Sequence, residues 1–186
     1  MPNPEFDAAE LLNRYLPGLR GFLRLRAGRL LLEKESCSDL AQSVCHDVLV
    51  NAGKLQFDSE EGFRKWLFTT AMRKIADRYE YYLAAKRDVN REHVPQSDGV
   101  ADTLRAYAGF FTPSQHAAAR EELTRVEAAF QRLSHEQQDV ILMAKMMGLS
   151  RAQIAAETGR TEVGVRTLLS RALARLTDML AEPTRP

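Results

Sequence analysis

Cysteine is scarce in this chain, and no other pattern of metal-binding residues takes its place. The 186 residues include two cysteines, Cys37 and Cys45. They lie eight positions apart on a segment that reads as one helix, so helical rise separates them by about 12 Å, too far for a disulfide. The four histidines have no cysteine or second histidine within a helical turn. The sequence therefore predicts two half-buried free thiols and no metal site.

The chain also lacks the segments that would insert it in a membrane or give it a catalytic centre. No run of about eighteen apolar residues is present, and the first five residues carry neither a basic flank nor an apolar signal core. There is no glycine-rich phosphate loop and no nucleophile elbow. We therefore expect a cytoplasmic protein that does not act at a membrane, is not an enzyme and uses no cofactor.

The spacing of apolar residues predicts an all-α fold. These residues recur every three to four positions along most of the chain, and no strand-like alternation appears. At 45% apolar content, the chain can bury one good core or two small ones. The stretch from Asp88 to Pro113 is punctuated by proline, glycine and polar residues, which is typical of a linker. The prediction is two small helical domains joined by a flexible linker, with boundaries at residues 1–91, 92–114 and 115–186.

The first domain is predicted to contain four helices. Pro17 with Gly18 is expected to separate the first two, because proline interrupts helical hydrogen bonding. In the second domain, a helix over residues 113–133 is expected to precede three closing helices. The helices predicted for the first domain cover residues 6–15, 18–32, 38–49 and 62–86.

Two serine-capped helices and a basic one close the chain. The hydroxyls of Ser134 and Ser150 can accept from backbone N–H groups three residues on, while Gln137 and Gln153 can reach back to the caps. A glycine, Gly159, stands where the second of these helices must end. A short helix, a glycine turn and a longer helix in succession have the dimensions of a helix-turn-helix, a motif that usually reads DNA.

The last helix is predicted to have one apolar face and one basic face. Its apolar residues recur at steps of three and four, so they are expected to pack on the two helices before it. They are Val165, Leu169, Ala172, Leu176 and Leu180. Between Ser150 and Arg175 there are five arginines against two glutamates, a net charge of +3 that suits phosphates. The alternative is an ordinary three-helix bundle with a solvated arginine face.

Charge is segregated along the first domain. From Glu33 to Glu61 there are seven acidic residues and two lysines, whereas from Arg64 to Arg91 there are eight basic residues and three acidic ones. Because protein surfaces usually mix signs, this pattern predicts one acidic and one basic face with different partners. The basic block also carries aromatic residues, and rings interleaved with cations can hold single-stranded nucleic acid.

One helix of the basic block is expected to serve both packing and binding. Its apolar residues fall at helical spacing and should lie inside, with its basic residues and tyrosines outside. The residues expected inside are Phe63, Trp66, Leu67, Ala71 and Ile75, and those expected outside are Arg73, Lys74, Arg78, Tyr81 and Tyr82. The alternative is that the apolar and aromatic residues form a core stripe and nothing more.

Several short motifs occur in a characteristic order. Residues 63–68 fit the pattern F-R-x-W-L-[FY], and residues 39–42 read D-L-A-Q, close to D-L-V-Q. The closing helices continue the series with patterns close to L-S-x-E-Q, G-x-S, I-A and V-R at residues 133–137, 148–150, 154–155 and 164–172. In these motifs and their order, nearly the whole chain resembles the extracytoplasmic-function sigma factors, the minimal promoter-specificity subunits of bacterial RNA polymerase.

The resemblance implies a role in transcription initiation. The first domain, the family's region 2, would bind core RNA polymerase, open promoter DNA near minus ten and capture an unpaired base of the non-template strand. The second domain, region 4, would read the minus-thirty-five duplex in its major groove. The implied polymerase-binding residues are Asp39, Leu40, Gln42, Ser43 and Asp47. Those implied for minus ten are Arg73, Lys74, Asp77, Arg78, Tyr81, Tyr82, Lys86 and Arg87, and those for minus thirty-five are Arg151, Arg160, Glu162, Arg166, Thr167, Ser170 and Arg171.

The implied polymerase-binding stretch departs from the family pattern. Similar proteins usually carry D-A-E-D-L-V-Q-E, whereas residues 36–43 here read S-C-S-D-L-A-Q-S, so serines replace three carboxylates. Because phosphorylation restores negative charge, we hypothesise that a serine/threonine kinase modifies Ser36, Ser38 or Ser43, instead of or alongside release from an anti-sigma factor. The alternative is that Asp39 and its acidic neighbours suffice and the serines merely cap the helix.

Two other classes of protein share parts of this pattern. A helix-turn-helix transcriptional regulator would have the same closing helices, but its other domain should not show the Trp66 motif with split charge. A helical adaptor would also be all-α, but it would not need two basic faces. Binding to core RNA polymerase is the property that separates the sigma factor from both.

Overall fold

The computed structural model describes residues 7–51, 57, 59–85 and 119–181. In these ranges the chain is helical apart from short turns, and they contain no strand. The chain divides into two compact units, Met1–Gly99 and Val100–Pro186. The all-α prediction is confirmed, whereas the predicted linker 92–114 and both its boundaries lie outside the described residues. No helix within the described ranges combines the length and the apolar character needed to cross a membrane.

The first unit is built from three described helices that pack against one another. They are α1 (Ala8–Leu32), α2 (Cys37–Asn51) and α3 (Glu60–Ala85). Phe22 of α1 and Phe68 of α3 are fully buried, with their ring centroids 5.0 Å apart in an edge-on contact. Leu40 and Val44 of α2 complete this core and are fully buried as well. The apolar face of each helix is therefore covered by the other two.

The prediction that Pro17 separates two helices is wrong, because α1 continues through it. Leu12, Leu19 and Phe22 are buried on both sides of the proline at helical spacing. Packing of this continuous apolar stripe on α2 and α3 offsets the loss of one backbone hydrogen bond. Tertiary contacts thus override a local signal that favours a break.

The kink in α1 lies at Gly28 instead. Its backbone angles, φ 64° and ψ 170°, belong to a region that is open almost only to glycine. The Tyr79 hydroxyl of α3 donates to the backbone carbonyl of Ala27, an acceptor at the kink. A β-carbon at Gly28 would come within 3.2 Å of that hydroxyl, so glycine and tyrosine together specify the bend.

The second unit contains four described α-helices and one π-helical turn. The helices are α4 (Ala119–Gln131), α5 (His135–Ile141), α6 (Arg151–Thr158) and α7 (Glu162–Ala181), and the π-helical turn Leu142–Met146 extends α5. Of the helix predicted over residues 113–133, the first residues lie outside the described ranges. The π-helical turn was not predicted.

Both predicted capping boxes are confirmed. The Gln137 backbone N–H donates to the Ser134 hydroxyl at 3.3 Å, and the Ser134 N–H donates to the Gln137 side chain at 3.2 Å. The same pair of bonds joins Ser150 and Gln153 at 3.2 and 2.7 Å. Each box satisfies two N–H groups that the first helical turn would otherwise leave without a partner.

Candidate nucleic-acid and polymerase interfaces

Helices α6 and α7 form the predicted helix-turn-helix. Gly159 ends α6 in the left-handed conformation, with φ 65° and ψ 23°. Thr161 then caps α7, since its hydroxyl accepts from the Gly164 N–H at 3.1 Å. The face of α7 that is turned inward packs on α5 and α6, where the buried residues are Val140, Ile141, Ile154, Ala155, Val165, Ala172 and Leu176. Of the predicted apolar stripe, Leu169 and Leu180 are only half-buried.

The opposite face of α7 carries four of the predicted minus-thirty-five residues. They are Arg166, Thr167, Ser170 and Arg171, and all four are exposed. Within the described part of the chain, no ion pair engages Arg166 or Arg171. This face therefore presents unneutralised guanidinium groups beside hydroxyls, the combination that can contact both phosphates and base edges.

The other three predicted residues of this group surround the turn. Arg151 and Glu162 are exposed at the first residues of α6 and α7. The Arg160 guanidinium lies 2.7 Å from the Glu136 carboxylate of α5, so it already has a partner inside the unit. Arg160 is thus held against α5, whereas Arg166 and Arg171 project from α7.

Helix α4 holds the far end of α7. The Arg125 guanidinium donates to the backbone carbonyl of Leu180 at 2.7 Å and lies 3.3 Å from the Glu122 carboxylate. Carbonyls in the last turn of a helix have no partner within the helix, and a cation there also complements the helix dipole. This contact restrains the direction of α7 as a whole.

In the first unit, α3 largely follows the predicted division into an inner and an outer face. Phe63, Leu67, Ala71 and Ile75 are buried as expected. Trp66 is half-buried, and its ring centroid lies 5.6 Å from that of Phe57. The core interpretation therefore accounts for the apolar residues of the F-R-x-W-L-[FY] motif.

Only part of the predicted outer face of α3 is exposed. Arg73, Asp77 and Tyr81 are exposed, with Tyr81 at 61%. Tyr82 is half-buried edge-on to Tyr81, at a centroid distance of 5.2 Å, and burial raises the pKa of its hydroxyl. Two more predicted minus-ten residues, Lys86 and Arg87, lie outside the described residues.

The two remaining cations of this group do not face outward as expected. The Lys74 ammonium lies 2.7 Å from the Asp47 carboxylate of α2. Arg78 Nε lies 3.2 Å from the carboxylate of Glu35, although the two groups are not aligned as a hydrogen bond. Both cations are half-buried. The expectation overlooked that α2 and α3 pack side by side, which brings the acidic and basic blocks into contact.

The predicted polymerase-binding residues of α2 divide in the same way. Asp39 and Gln42 are exposed, Ser43 is half-buried, and Asp47 is held by Lys74. Leu40 is fully buried in the core, so the prediction that it presents a side chain to a partner is wrong. Its position in a D-L-A-Q motif reflects packing, since α2 must bury one face.

The three serines of this segment differ in accessibility. Ser36 is buried, and its hydroxyl both donates to the Asp39 carboxylate at 2.7 Å and accepts from the Asp39 N–H at 3.0 Å. It therefore acts as a helix cap and is shielded from a kinase. Ser38 and Ser43 are half-buried and remain the candidates for modification.

Two residues that bear on these surfaces were not among the predicted ones. Glu35 sits beside Arg78, and burial raises the pKa of its carboxyl even though the Arg78 charge opposes the shift. Val163, in the first turn of α7, is 63% exposed. The helical period could have found Val163, because it falls on the face opposite the apolar stripe, whereas Glu35 depends on how two helices pack.

Comparison with known proteins gives a consistent result. Residues 123–176 match the family model of Sigma-70, region 4. The chain is 28% identical over 169 residues to the ECF RNA polymerase sigma factor SigD of Mycobacterium tuberculosis, covering 91% of this chain and 74% of that protein.

Two solved structures share the fold. One is CnrH in complex with the cytosolic domain of CnrY, at 21% identity and a TM-score of 0.55, covering 93% of this chain and 86% of that one. CnrH is a sigma factor of Cupriavidus metallidurans. The other is the sigma factor RpoE in complex with the anti-sigma factor NepR from Bartonella quintana, at 21% identity and a TM-score of 0.57, covering 92% and 95%. With a region 4 match on the helix-turn-helix and similarity to SigD along most of its length, the chain belongs to the extracytoplasmic-function sigma factors.

Proposed function

We propose that this protein binds core RNA polymerase and directs it to promoters by reading a minus-thirty-five element and helping to open the DNA near minus ten. The observation that carries the proposal is the exposed face of α7, with Arg166 and Arg171 opposite the buried stripe of a helix-turn-helix. A helix of this kind fits the major groove, where arginine can contact guanine or phosphate and hydroxyls can contact several bases. Residues 115–186 would form this reading domain.

Opening of the minus-ten element is assigned to residues 1–91. Tyr81 is 61% exposed at the end of α3, and Arg73 is exposed two turns earlier. A ring in this position can stack on an unpaired base while a nearby cation meets the backbone, and such stacking contributes about 1–3 kcal/mol per base. Lys74 and Arg78 would join them only by exchanging Asp47 and Glu35 for phosphates.

We assign the polymerase contact to the exposed carboxylate of Asp39 with Gln42, and control of the protein to a partner that covers these surfaces. CnrH and RpoE were each solved with such a partner, CnrY and the anti-sigma factor NepR. An anti-sigma factor is therefore the proposed inhibitory partner here. A kinase acting on Ser38 or Ser43 is a separate proposal, supported by the serines in place of carboxylates.

Purified protein with and without core RNA polymerase tests this function. The protein should co-elute with the core enzyme, and the complex should bind duplexes selected from a random library and initiate transcription on them. Failure to bind the core enzyme would refute the proposal. Sequence-specific binding to duplex without polymerase would favour a conventional regulator, and binding to neither would favour an adaptor.

A further inference from the structure

Val163 is an apolar side chain in a position where the fold gives it nothing to pack on. It lies in the first turn of α7 and is 63% exposed, the highest exposure of any large hydrophobic residue in the part of the chain that the structure describes. Its neighbours in the sequence differ from it: Glu162 is charged and exposed, and Val165 is completely buried. The exposure of Val163 is therefore particular to its position in the helix.

The helical geometry places Val163 at the centre of the outer face. Successive residues turn by roughly 100°, so Val165 and Ala172 lie about half a turn away from Val163 and point inward. Arg166, Thr167 and Ser170, at three, four and seven positions further on, lie on its own side. Val163 thus begins the row of exposed side chains that the proposed function assigns to DNA.

The first turn that carries Val163 is held firmly. The Thr161 hydroxyl accepts from the Gly164 N–H at 3.1 Å, and the Thr167 hydroxyl donates to the Val163 carbonyl at 3.0 Å. A β-carbon at Gly164 would lie 3.2 Å from the Thr161 hydroxyl, so glycine leaves room for this cap. Valine in a helix also has one strongly preferred rotamer. Its two methyl groups therefore point in a defined direction before any partner binds.

The major groove offers one apolar group that such a side chain can meet. The 5-methyl group of thymine projects into this groove, and apolar contact with it distinguishes thymine from the other bases. In a helix-turn-helix, the residues at the start of the second helix are those that reach base edges. Valine has no hydrogen-bonding group on its side chain, so a methyl group is the feature of a base that it can select.

We propose that Val163 is a specificity-determining residue that contacts the 5-methyl group of a thymine in the minus-thirty-five element. The inference rests on the proposed function, because it requires α7 to enter the major groove of promoter DNA. It adds a contact that selects a base through its methyl group to the polar contacts of Arg166 and Ser170.

The test uses the protein assembled with core RNA polymerase. A duplex is first selected from a random library by this holoenzyme, and each thymine of its upstream element is then replaced singly by deoxyuridine, which lacks only the methyl group. At one position the replacement should weaken binding about four-fold, the effect of losing one buried methyl group. Val163→Ala and the isosteric Val163→Thr should lose this thymine preference, and Arg166→Ala should lower affinity while retaining it.

Each outcome decides between the alternatives. If Val163→Ala keeps the full thymine preference, or lowers binding equally on thymine and uracil duplexes, Val163 does not read a methyl group and the inference fails while the proposed function stands. If no thymine shows a methyl effect with the unaltered protein, the inference fails in the same way. If the holoenzyme selects no duplex, the proposed function fails with it. Equal thermal unfolding midpoints of Val163→Ala, Val163→Thr and the unaltered protein would show that folding is not the cause.

Discussion

Glu35 and Glu60 are both paired with an arginine, yet their surroundings shift their pKa values in opposite directions. Glu35 is largely removed from water, and this burial raises the pKa of its carboxyl despite the nearby Arg78. Glu60 accepts a hydrogen bond from the Tyr15 hydroxyl at 2.8 Å and two from Arg14, which lower the pKa of its carboxyl. The two residues should therefore affect stability in opposite ways as pH changes.

We predict that Glu35→Gln and Glu60→Gln give opposite pH profiles. A raised pKa means that the folded state holds its proton more tightly, so the Glu35 charge costs stability as pH rises above the ordinary carboxyl range, and Glu35→Gln should gain relative to the unaltered protein there. The lowered pKa of Glu60 contributes stability at neutral pH that is lost as pH falls through the folded-state pKa, so Glu60→Gln should lose most near neutrality. Urea unfolding followed by Trp66, the single tryptophan, reports on this unit. Profiles of the same sign would contradict the assignment.

The basic residues of α7 allow a second prediction at the residue scale. Arg166→Ala should cost about 1–3 kcal/mol of promoter binding if it meets a base, and Arg171→Ala should weaken binding to all sequences and reduce its salt dependence if it meets phosphate. Lys145→Ala, an exposed cation in the π-helical turn, is the matched control and should change neither quantity. Holoenzyme affinities for duplex promoter at two salt concentrations measure both effects. Unchanged affinity and salt slope in both arginine variants would remove these residues from the interface.

At the scale of helices, signals confined to a few neighbouring residues were predictable and those set by packing were not. Ser150 and Gln153 form a capping box whose bonds span four residues, so the sequence alone identified it. Pro17 was misinterpreted because burial of α1 on two other helices outweighs its local effect. The ion pair of Lys74 with Asp47 was missed because it depends on the facing of α2 and α3. The position of the α7 site was predictable because one helix determines it.

The kink at Gly28 yields a prediction about α1. Gly28→Ala should destabilise the first unit by about 1–3 kcal/mol, because its backbone angles are nearly exclusive to glycine and its side chain would crowd the Tyr79 hydroxyl. Gly18→Ala in the same helix is the control. A β-carbon there would meet Phe68 at an ordinary 3.7 Å, and alanine favours a helix over glycine, so little loss is expected. Urea unfolding followed by Trp66 fluorescence measures both, and equal losses would show that the kink is not the cause.

At the scale of the whole molecule, the segregated charges of the first unit partly neutralise each other. Asp47 and Glu35 from the acidic block hold Lys74 and Arg78 from the basic block. Exposed Asp39 is left as the charged member of the predicted polymerase-binding set. Each of the proposed contacts, with polymerase and with DNA, therefore begins from fewer free charges than the sequence suggests.

This shortage of free carboxylates makes the serine substitutions testable. The double variant Ser38→Asp with Ser43→Asp should bind core RNA polymerase more tightly than the unaltered protein, because added negative charge steers association and fixes register. Replacing the same pair by alanine is the control and should not increase affinity. Ser36→Ala should instead reduce stability by about 1 kcal/mol, since Ser36 caps α2. Equal core affinity of the aspartate and alanine pairs would end the kinase hypothesis.

The π-helical turn makes the length of the chain critical ahead of the DNA-reading helices. At Leu142 the backbone carbonyl accepts from the Met147 N–H at 3.0 Å, five residues on, so this turn holds more residues than an α-helical turn does. Deleting one residue there, such as Ala144, would restore α-helical spacing but rotate everything that follows by roughly 100°. Buried Met146 and Leu149 would then leave the core, and α6 would start in the wrong direction. Single-residue deletions should therefore be tolerated far less well in this turn than in the exposed turn around Gly159.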